Sequence, residues 1–179
     1  MKVLMFSLDQ KILQDGSKSQ RRILDYGTIV EELYVVVATT KSSASIKINN
    51  VFLYPTNNLL KPFYFFAACH ISKNIIRATK SQGGINLISA QDAFPTGLIG
   101  YWIKKRFQIP LQIQVHIDFF SPFFWKESIY NKIYVLFARF LLPKANNVRV
   151  VSREIKNYLT SNLHVNSKRI IVLPVFPNL

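Results

Sequence analysis

Short apolar runs recur along this chain, separated by longer stretches in which apolar residues return every third or fourth position. Runs of the first kind suit buried strands, and stretches of the second kind suit helices packed on one side. Val3–Leu8, Leu33–Thr39, Val51–Tyr54, Ile85–Ala90, Leu111–Val115, Val148–Val151 and Arg169–Leu173 read as strands. A short helix is expected from Arg21 to about Thr28. Lys61 and Pro62 open a second helix with apolar positions at Phe63, Phe66, Ala67, His70, Ile71, Ile75 and Ala78, ended by Gly83-Gly84. Pro95 suits the first turn of a third, which carries Leu98, Tyr101 and Trp102 and closes on Lys104, Lys105 and Arg106. A long amphipathic helix follows over about Lys126–Leu142, with Ile129, Ile133, Leu136, Phe137 and Phe140 on one side. Ser152 can N-cap a last helix through Asn162, with Glu154 in its first turn. Asp9–Lys18 reads as a polar loop, Lys41–Asn49 as a loop or weak edge hairpin, and Pro174–Leu179 as irregular.

Strands alternating with helices throughout predict a single α/β domain over residues 1–179 with a mostly parallel sheet of about seven strands. No internal repeat or linker divides it. Right-handed crossovers then gather the strand C-termini along one edge, where ligands bind. That edge holds Asp9, Thr40, Asp92, His116 and Ser152.

Nearly half of the 179 residues are hydrophobic, which is enough for one buried core and argues against disorder. Lys and Arg number 23 against 9 Asp and Glu, a net charge of +14 that favours anionic partners: a membrane surface, nucleic acid or phosphorylated ligands. No zinc-finger or RNP-like sequence accompanies the charge, so nucleic acid ranks last among them. The lone Cys69 excludes an intrachain disulfide and fits a reducing compartment. The greasiest segments, Pro62–Ile71 and Tyr134–Pro143, fall short of the roughly 20 apolar residues that span a bilayer, and no signal-peptide pattern opens the chain. The expected setting is cytoplasmic, free or peripheral at the inner face of the plasma membrane.

Candidate chemistry collects at the predicted strand ends. In Pro110–Ser121 a buried strand turns polar at His116 and Asp118 before Phe119 and Phe120. Such a strand either delivers a histidine and an aspartate to a cleft, or ends on a histidine satisfied by backbone with Asp118 starting a turn. The i,i+2 spacing supplies two metal ligands at most, and His70 and His164 lack matching partners, so no metal is expected. Gln91 and Asp92 end the fourth strand, where Asp92 either accepts from an acceptor hydroxyl or caps the helix entered at Pro95. Gly16, Ser17 and Arg21 would suit a phosphate at a helix start, without the fingerprint of a dinucleotide fold or a P-loop. Phe66, Phe137 and Phe140 are expected in the core. Phe123, Phe124, Trp125 and Lys126 suit either a headgroup-level membrane contact or a solvated basic face.

The order of four stretches resembles the N-terminal domain of the family 4 glycosyltransferases, which have the two-domain GT-B architecture. They are MKVLMFSLD, the run from LISAQDAFPTGL to PLQIQVHIDF, ANNVRVVSREIKNYL, and KRIIVLPVFPNL. The resemblance covers nearly the whole chain. It implies a three-layer α/β/α Rossmann-like half of GT-B whose partner, a C-terminal donor-binding domain, is absent from these residues. It implies no cofactor but a nucleotide-sugar donor, retaining transfer, and a glycan or lipid-linked acceptor used in cell-envelope polysaccharide or glycolipid synthesis. By position His116 is the histidine near the donor sugar and leaving phosphate. Gln91, Asp92, Asp118, Phe119, Ser152, Arg153 and Glu154 fall on the acceptor side. Gly16 and Ser17 stand where relatives carry a glycine-rich loop, but the usual Gly-Gly is missing. The alternative is a non-catalytic basic α/β module that binds an anionic membrane or a protein partner.

Overall fold

A computed structural model of the chain describes residues 1–174. Eight strands form one sheet in the order β3-β4-β2-β1-β5-β6-β7-β8. The strands are β1 (Lys2–Ser7), β2 (Glu32–Val37), β3 (Ile46–Ile48), β4 (Val51–Pro55), β5 (Leu87–Ala90), β6 (Leu111–Val115), β7 (Asn147–Val150) and β8 (Ile170–Val172). Every pairing is parallel except β3 with β4, so the Ser-rich stretch is the edge hairpin and raises the strand count to eight. The helices are α1 (Lys18–Gly27), α2 (Tyr64–Thr79), α3 (Thr96–Phe107), α4 (Pro122–Glu127), α5 (Ile129–Leu141) and α6 (Arg153–Leu163).

The central strand β1 is buried along its whole length, as a strand covered on both faces must be. Alternate residues feed two cores. Val3 and Met5 join Leu33, Val35, Val37, Ile12 and Ile23 beneath α1. Leu4 and Phe6 join Val36, Ile88, Ile113, Val148 and the inner faces of α2, α3, α5 and α6. The α1 layer covers only the β4-β2-β1 half of its face. Beyond β1 the same face turns polar, and the β5–β7 registers place Ser89 beside Gln112 and Gln114 beside Arg149.

Three sequence expectations change here. The predicted Lys126–Leu142 helix is two helices, broken at Ser128, whose extended backbone (φ −157°) and side chain cap α5 by accepting from Asn131 N. The inner face of α5 is Tyr134, Val135, Ala138 and Leu141, while Ile129, Ile133, Leu136 and Phe140 point outward. Likewise α2 buries Tyr64, Ala68, Cys69, Ser72, Ile75 and Thr79 and exposes Phe66. Of the three aromatics expected in the core, only Phe137 packs there, stacked on Phe94 at 4.6 Å; Phe66 and Phe140 are exposed. Cys69 is buried, which pushes its thiol up to about 11. The Pro177-Asn178 end of the last matching stretch lies outside the described residues.

Candidate active site

All the parallel strands end on one edge, and the loops that leave them enclose a cleft in two parts. On the side of α2, α3 and α5 lies a cavity of about 740 Å³. Its floor comes from the residues after β1 and β2 (Leu8, Ala38, Thr39 and Thr40) and its walls from Tyr64, Phe65, Phe94, Pro95 and Leu98. Tyr130 and Ile133 of α5 close it opposite Pro62. The lining is mainly apolar, with polar atoms from Gln10, the two threonines and Asn58. Two loops are locked at its back. Thr56 Oγ1 accepts from Thr39 N at 3.0 Å, Asn58 N donates to the Thr39 carbonyl at 2.9 Å, and Asn57, in a left-handed conformation, receives Ser43 N on its side-chain oxygen.

The wall at Phe94-Pro95 is a cis peptide held from both sides. Asp92 Oδ1 accepts from Thr96 N at 3.0 Å and the Thr96 hydroxyl bonds the Asp92 carbonyl, so Asp92 does cap the turn into α3. Gly97 lets the helix come this close: a Cβ there would stand 3.0 Å from the Asp92 carbonyl oxygen. The Tyr134 hydroxyl accepts from Ala93 N, and Phe94 stacks on Phe137. Burial raises Asp92 to about 6, against the opposing pull of its bonds to Thr96 and Phe94. A carboxyl in that range can exchange a proton near neutrality, as a general base for a hydroxyl must. Nearby, the Tyr64 hydroxyl is buried without a partner.

The second part of the cleft is polar and lies on the α1 side. His116 follows β6 and stands partly open to solvent, with its Nε2 3.1 Å from Gln114 Oε1. The same oxygen accepts from Arg149 Nη1 at 3.2 Å, and Gln114 Nε2 donates to Ser89. Surrounding protein, then Arg149 and Arg22, lowers the His116 pKa and keeps its ring neutral. The Ser7 hydroxyl donates to Gln91, and Asp9 N donates to Ser7 Oγ at 3.1 Å. Arg22 of α1 reaches Asp9 at 3.8 Å, so the cation that approaches this cluster is Arg22.

The predicted site residues therefore divide. His116, Gln91 and Asp92 share the strand-end edge. Asp118 is exposed and starts a turn by accepting from Phe120 N at 3.2 Å. Phe119 is buried against Phe120 and Tyr134. Ser152 caps α6 by accepting from Ile155 N, Arg153 and Glu154 lie exposed beside it, and the Ser152 hydroxyl holds the Glu154 carboxyl below its usual range. Gly16 takes a left-handed φ of 68° and Ser17 caps α1 by accepting from Gln20 N, while Gln20 reaches back to Gly16 N, a variant of the capping box; Arg21 is exposed. Gln114, Arg149 and the cavity residues Tyr64, Phe65 and Tyr130 were not singled out by sequence. The alternation of LQIQV, which sets two glutamines opposite the apolar face, was the available sign of a polar sheet face.

A sequence model of glycosyltransferase family 4 matches residues 31–176, most of the chain. The chain belongs to that family. An uncharacterized glycosyltransferase of Methanocaldococcus jannaschii is 32% identical over 100 residues, 56% of this chain and 26% of the relative. The match thus spans about a quarter of that relative's length. Among solved structures, a sucrose-phosphate synthase of Thermosynechococcus elongatus superposes with a TM-score of 0.66 at 12% identity, covering 99% of this chain and 91% of that one. Arabidopsis thaliana UGT89C1 complexed with UDP-L-rhamnose superposes with a TM-score of 0.58 at 14% identity, covering 99% of this chain and 53% of that one. Phytolacca americana UGT2, complexed with UDP-2fluoro-glucose and pterostilbene, does so with a TM-score of 0.52 at 11% identity, covering 99% and 54%. The family 4 domain has the Rossmann-like α/β fold of these GT-B proteins. Among its described residues, no helix is long and apolar enough to cross a membrane.

Proposed function

We propose that this family 4 domain is the acceptor-side half of a glycosyltransferase that moves a sugar from a nucleotide-sugar donor to a lipid- or glycan-linked acceptor. The cellular task in this reading is cell-envelope polysaccharide or glycolipid synthesis at the cytoplasmic face of the membrane. One observation carries it: an apolar cavity opens at the strand C-termini, and the carboxyl that caps its Phe94-Pro95 wall, Asp92, is raised to about 6, while His116 follows β6 at the same edge on the α1 side of the sheet. Pockets of this size that are apolar with a few polar groups suit an acceptor with a greasy body and a reacting hydroxyl. Asp92, with Gln91 before it at the end of β5, orients that hydroxyl. His116 meets the donor sugar and its leaving phosphate, and the lowered pKa leaves it uncharged as a hydrogen-bonding partner.

The donor is held by a second domain, supplied in the same polypeptide or by a partner chain. The nucleotide sugars in the UGT complexes support this class of donor. The test is transfer of labelled sugar from a panel of nucleotide sugars to a polyprenyl phosphate or to a glycan, with the chain alone and with a donor-binding domain supplied. Transfer only in the presence of both is expected. Absence of transfer with every donor domain and acceptor tried, beside vesicle binding by the same chain, would favour a non-catalytic basic module instead.

A further inference from the structure

Helices α2, α3 and α5 lie side by side on one face of the sheet, and each starts at the cleft edge. Their outward sides set large apolar residues among polar ones, which on α2 are His70, Lys73, Asn74 and Arg77. Phe66 of α2 is 68% exposed, Trp102 of α3 43%, and Ile129 and Leu136 of α5 are 73% and 58%. On α5 the exposed apolar residues Ile129, Ile133, Leu136 and Phe140 fall at helical spacing and make one stripe. Phe65 links two of the helices by packing edge-on to both Phe66 and Trp102, and Tyr101 of α3 packs edge-on to Phe140 of α5. The rim of the large cavity, Pro62, Tyr130 and Ile133, belongs to the same surface.

The charges on these helices have one sign. None of the three contains an Asp or Glu, although α1 carries Asp25 and α6 carries Glu154. Most of their cations lie past the first turn from the cleft, Lys73 and Arg77 on α2, Lys104, Lys105 and Arg106 on α3, and Arg139 on α5, while Lys132 stands in the first turn of α5. Beyond α5, Lys144 stands 3.8 Å over the Phe140 ring. Exposed apolar patches of this extent on a soluble domain mark an interaction surface. A protein partner would have to meet several cations with acids and also cover the aromatic stripe. An anionic bilayer meets both demands at once, with apolar side chains below the headgroups and cations among them.

We propose that the outer face of α2, α3 and α5 docks on an anionic lipid bilayer, setting the cavity rim at the headgroup level. The orientation rests on the lipid-acceptor part of the reading above, and it gives that acceptor a route from the bilayer without leaving it. It places the contact on Phe66, Trp102, Ile133 and Leu136 and not on the Phe123–Lys126 segment of α4.

The test is cosedimentation of the 179-residue chain with vesicles of mixed phosphatidylcholine and phosphatidylglycerol, against vesicles of phosphatidylcholine alone. Binding is expected only with phosphatidylglycerol. The pair Lys105→Ala and Arg106→Ala should weaken it by about fivefold per cation removed. Phe66→Ser with Leu136→Ser should weaken it by about tenfold per residue, while Phe123→Ser with Trp125→Ser leaves it unchanged. All of these side chains are exposed, so unchanged melting temperatures verify the folds. Equal binding to both vesicles, no binding, or loss only in the Phe123 and Trp125 variant would overturn the proposal. So would a solution dimer, seen by sedimentation velocity, that Phe66→Ser with Leu136→Ser dissociates, because a second copy would then cover the face. None of these measurements needs turnover. Docking without transfer condemns the catalytic reading alone, and transfer to a soluble acceptor without docking condemns this proposal alone.

Discussion

Gln114 and His116 leave β6 two residues apart on the polar side of the sheet, and Gln114 Oε1 lies 3.1 Å from His116 Nε2. Because the same oxygen accepts from Arg149 Nη1, it faces His116 as an acceptor, and the neutral imidazole carries its proton on Nε2. Nδ1 is then the nitrogen left to accept a hydrogen bond in the cleft. Arg149 thus sets the tautomer through Gln114 and disfavours the charged ring by its own field.

Replacing Arg149 by Met should therefore raise the His116 pKa toward the ordinary histidine value, without reaching it, because burial is the larger cause of the depression and Arg22 stays in place. Histidine ring NMR shifts followed through a pH titration measure this directly. An unmoved titration would remove Arg149 from the account. For the glycosyl transfer proposed above, His116→Ala should depress turnover far more than it lowers the melting temperature, since the ring is exposed and lies outside both cores. Wild-type turnover in that variant would make His116 structural only.

Asp92 gives a pH prediction of opposite sign to that of a paired carboxylate. It ionises at about 6 in the fold and at about 3.9 in an unfolded chain. Between these values the folded state holds more protons, so its contribution is present below the unfolded pKa and is lost as pH rises through about 6. Asp92→Asn keeps an oxygen for Thr96 N while removing the buried charge. It should stabilise the domain at pH 8 by on the order of 1–2 kcal/mol, after allowing for partial exposure, and hardly at all at pH 3. Thermal melts at the two pH values decide it; a variant less stable at pH 8 would mean that the ionised form is held better than its burial implies.

The strands were legible because a strand covered on both faces needs an unbroken apolar run, and only a few stretches of this chain have one. Helix faces were legible in period but not in direction. On α2 the inward positions include Ser72 and Thr79, whose hydroxyls donate to the Ala68 and Ile75 carbonyls one turn back and so bury without cost to the core. Small and self-satisfied residues face the sheet there, while Phe66, the more hydrophobic choice, faces out. The break at Ser128 was hidden because the residues on either side of it continue to suit a helix. Within the site, His116 and Asp92 could be placed because each ends a recognisable strand. The partners Gln114 and Arg149 could not, because they meet across the β6–β7 register, which joins residues far apart in sequence.

Two glycines of α3 should respond differently to the same added methyl group. A Cβ at Gly100 would meet Leu111 Cδ1 at 2.7 Å, the end of a side chain that can rotate aside. At Gly97 it would meet the Asp92 carbonyl oxygen at 3.0 Å, and that carbonyl is fixed by the Thr96 hydroxyl. Alanine gains about 1 kcal/mol over glycine inside a helix, which offsets much of the strain at Gly100. Gly97→Ala should be destabilising by a net of about 1–2 kcal/mol, and Gly100→Ala by less. Urea unfolding of both variants tests the order, and the reverse order would show that the Asp92 turn yields more easily than the packing of α3 on β6.

The Tyr64 hydroxyl separates stability from ligand binding. It is buried in the wall of the large cavity without a partner, and an unsatisfied buried hydroxyl costs on the order of 1–2 kcal/mol. Burial, and then the nearby Asp92 carboxylate, hold the phenol well above its usual pKa, so it stays a neutral donor at any pH the fold survives. Tyr64→Phe removes the unmet group and keeps the ring that packs beside Ala68 in the core. If the hydroxyl has no use, the variant melts a few degrees higher, about 2–4 °C per kcal/mol for a domain of this size, and transfers sugar like the parent. If an acceptor oxygen completes the missing bond, the same stabilisation comes with a raised acceptor KM and little change in kcat, because a bond made equally in the ground and transition states is lost. A fall in melting temperature would contradict both outcomes and show that the hydroxyl is satisfied within the fold.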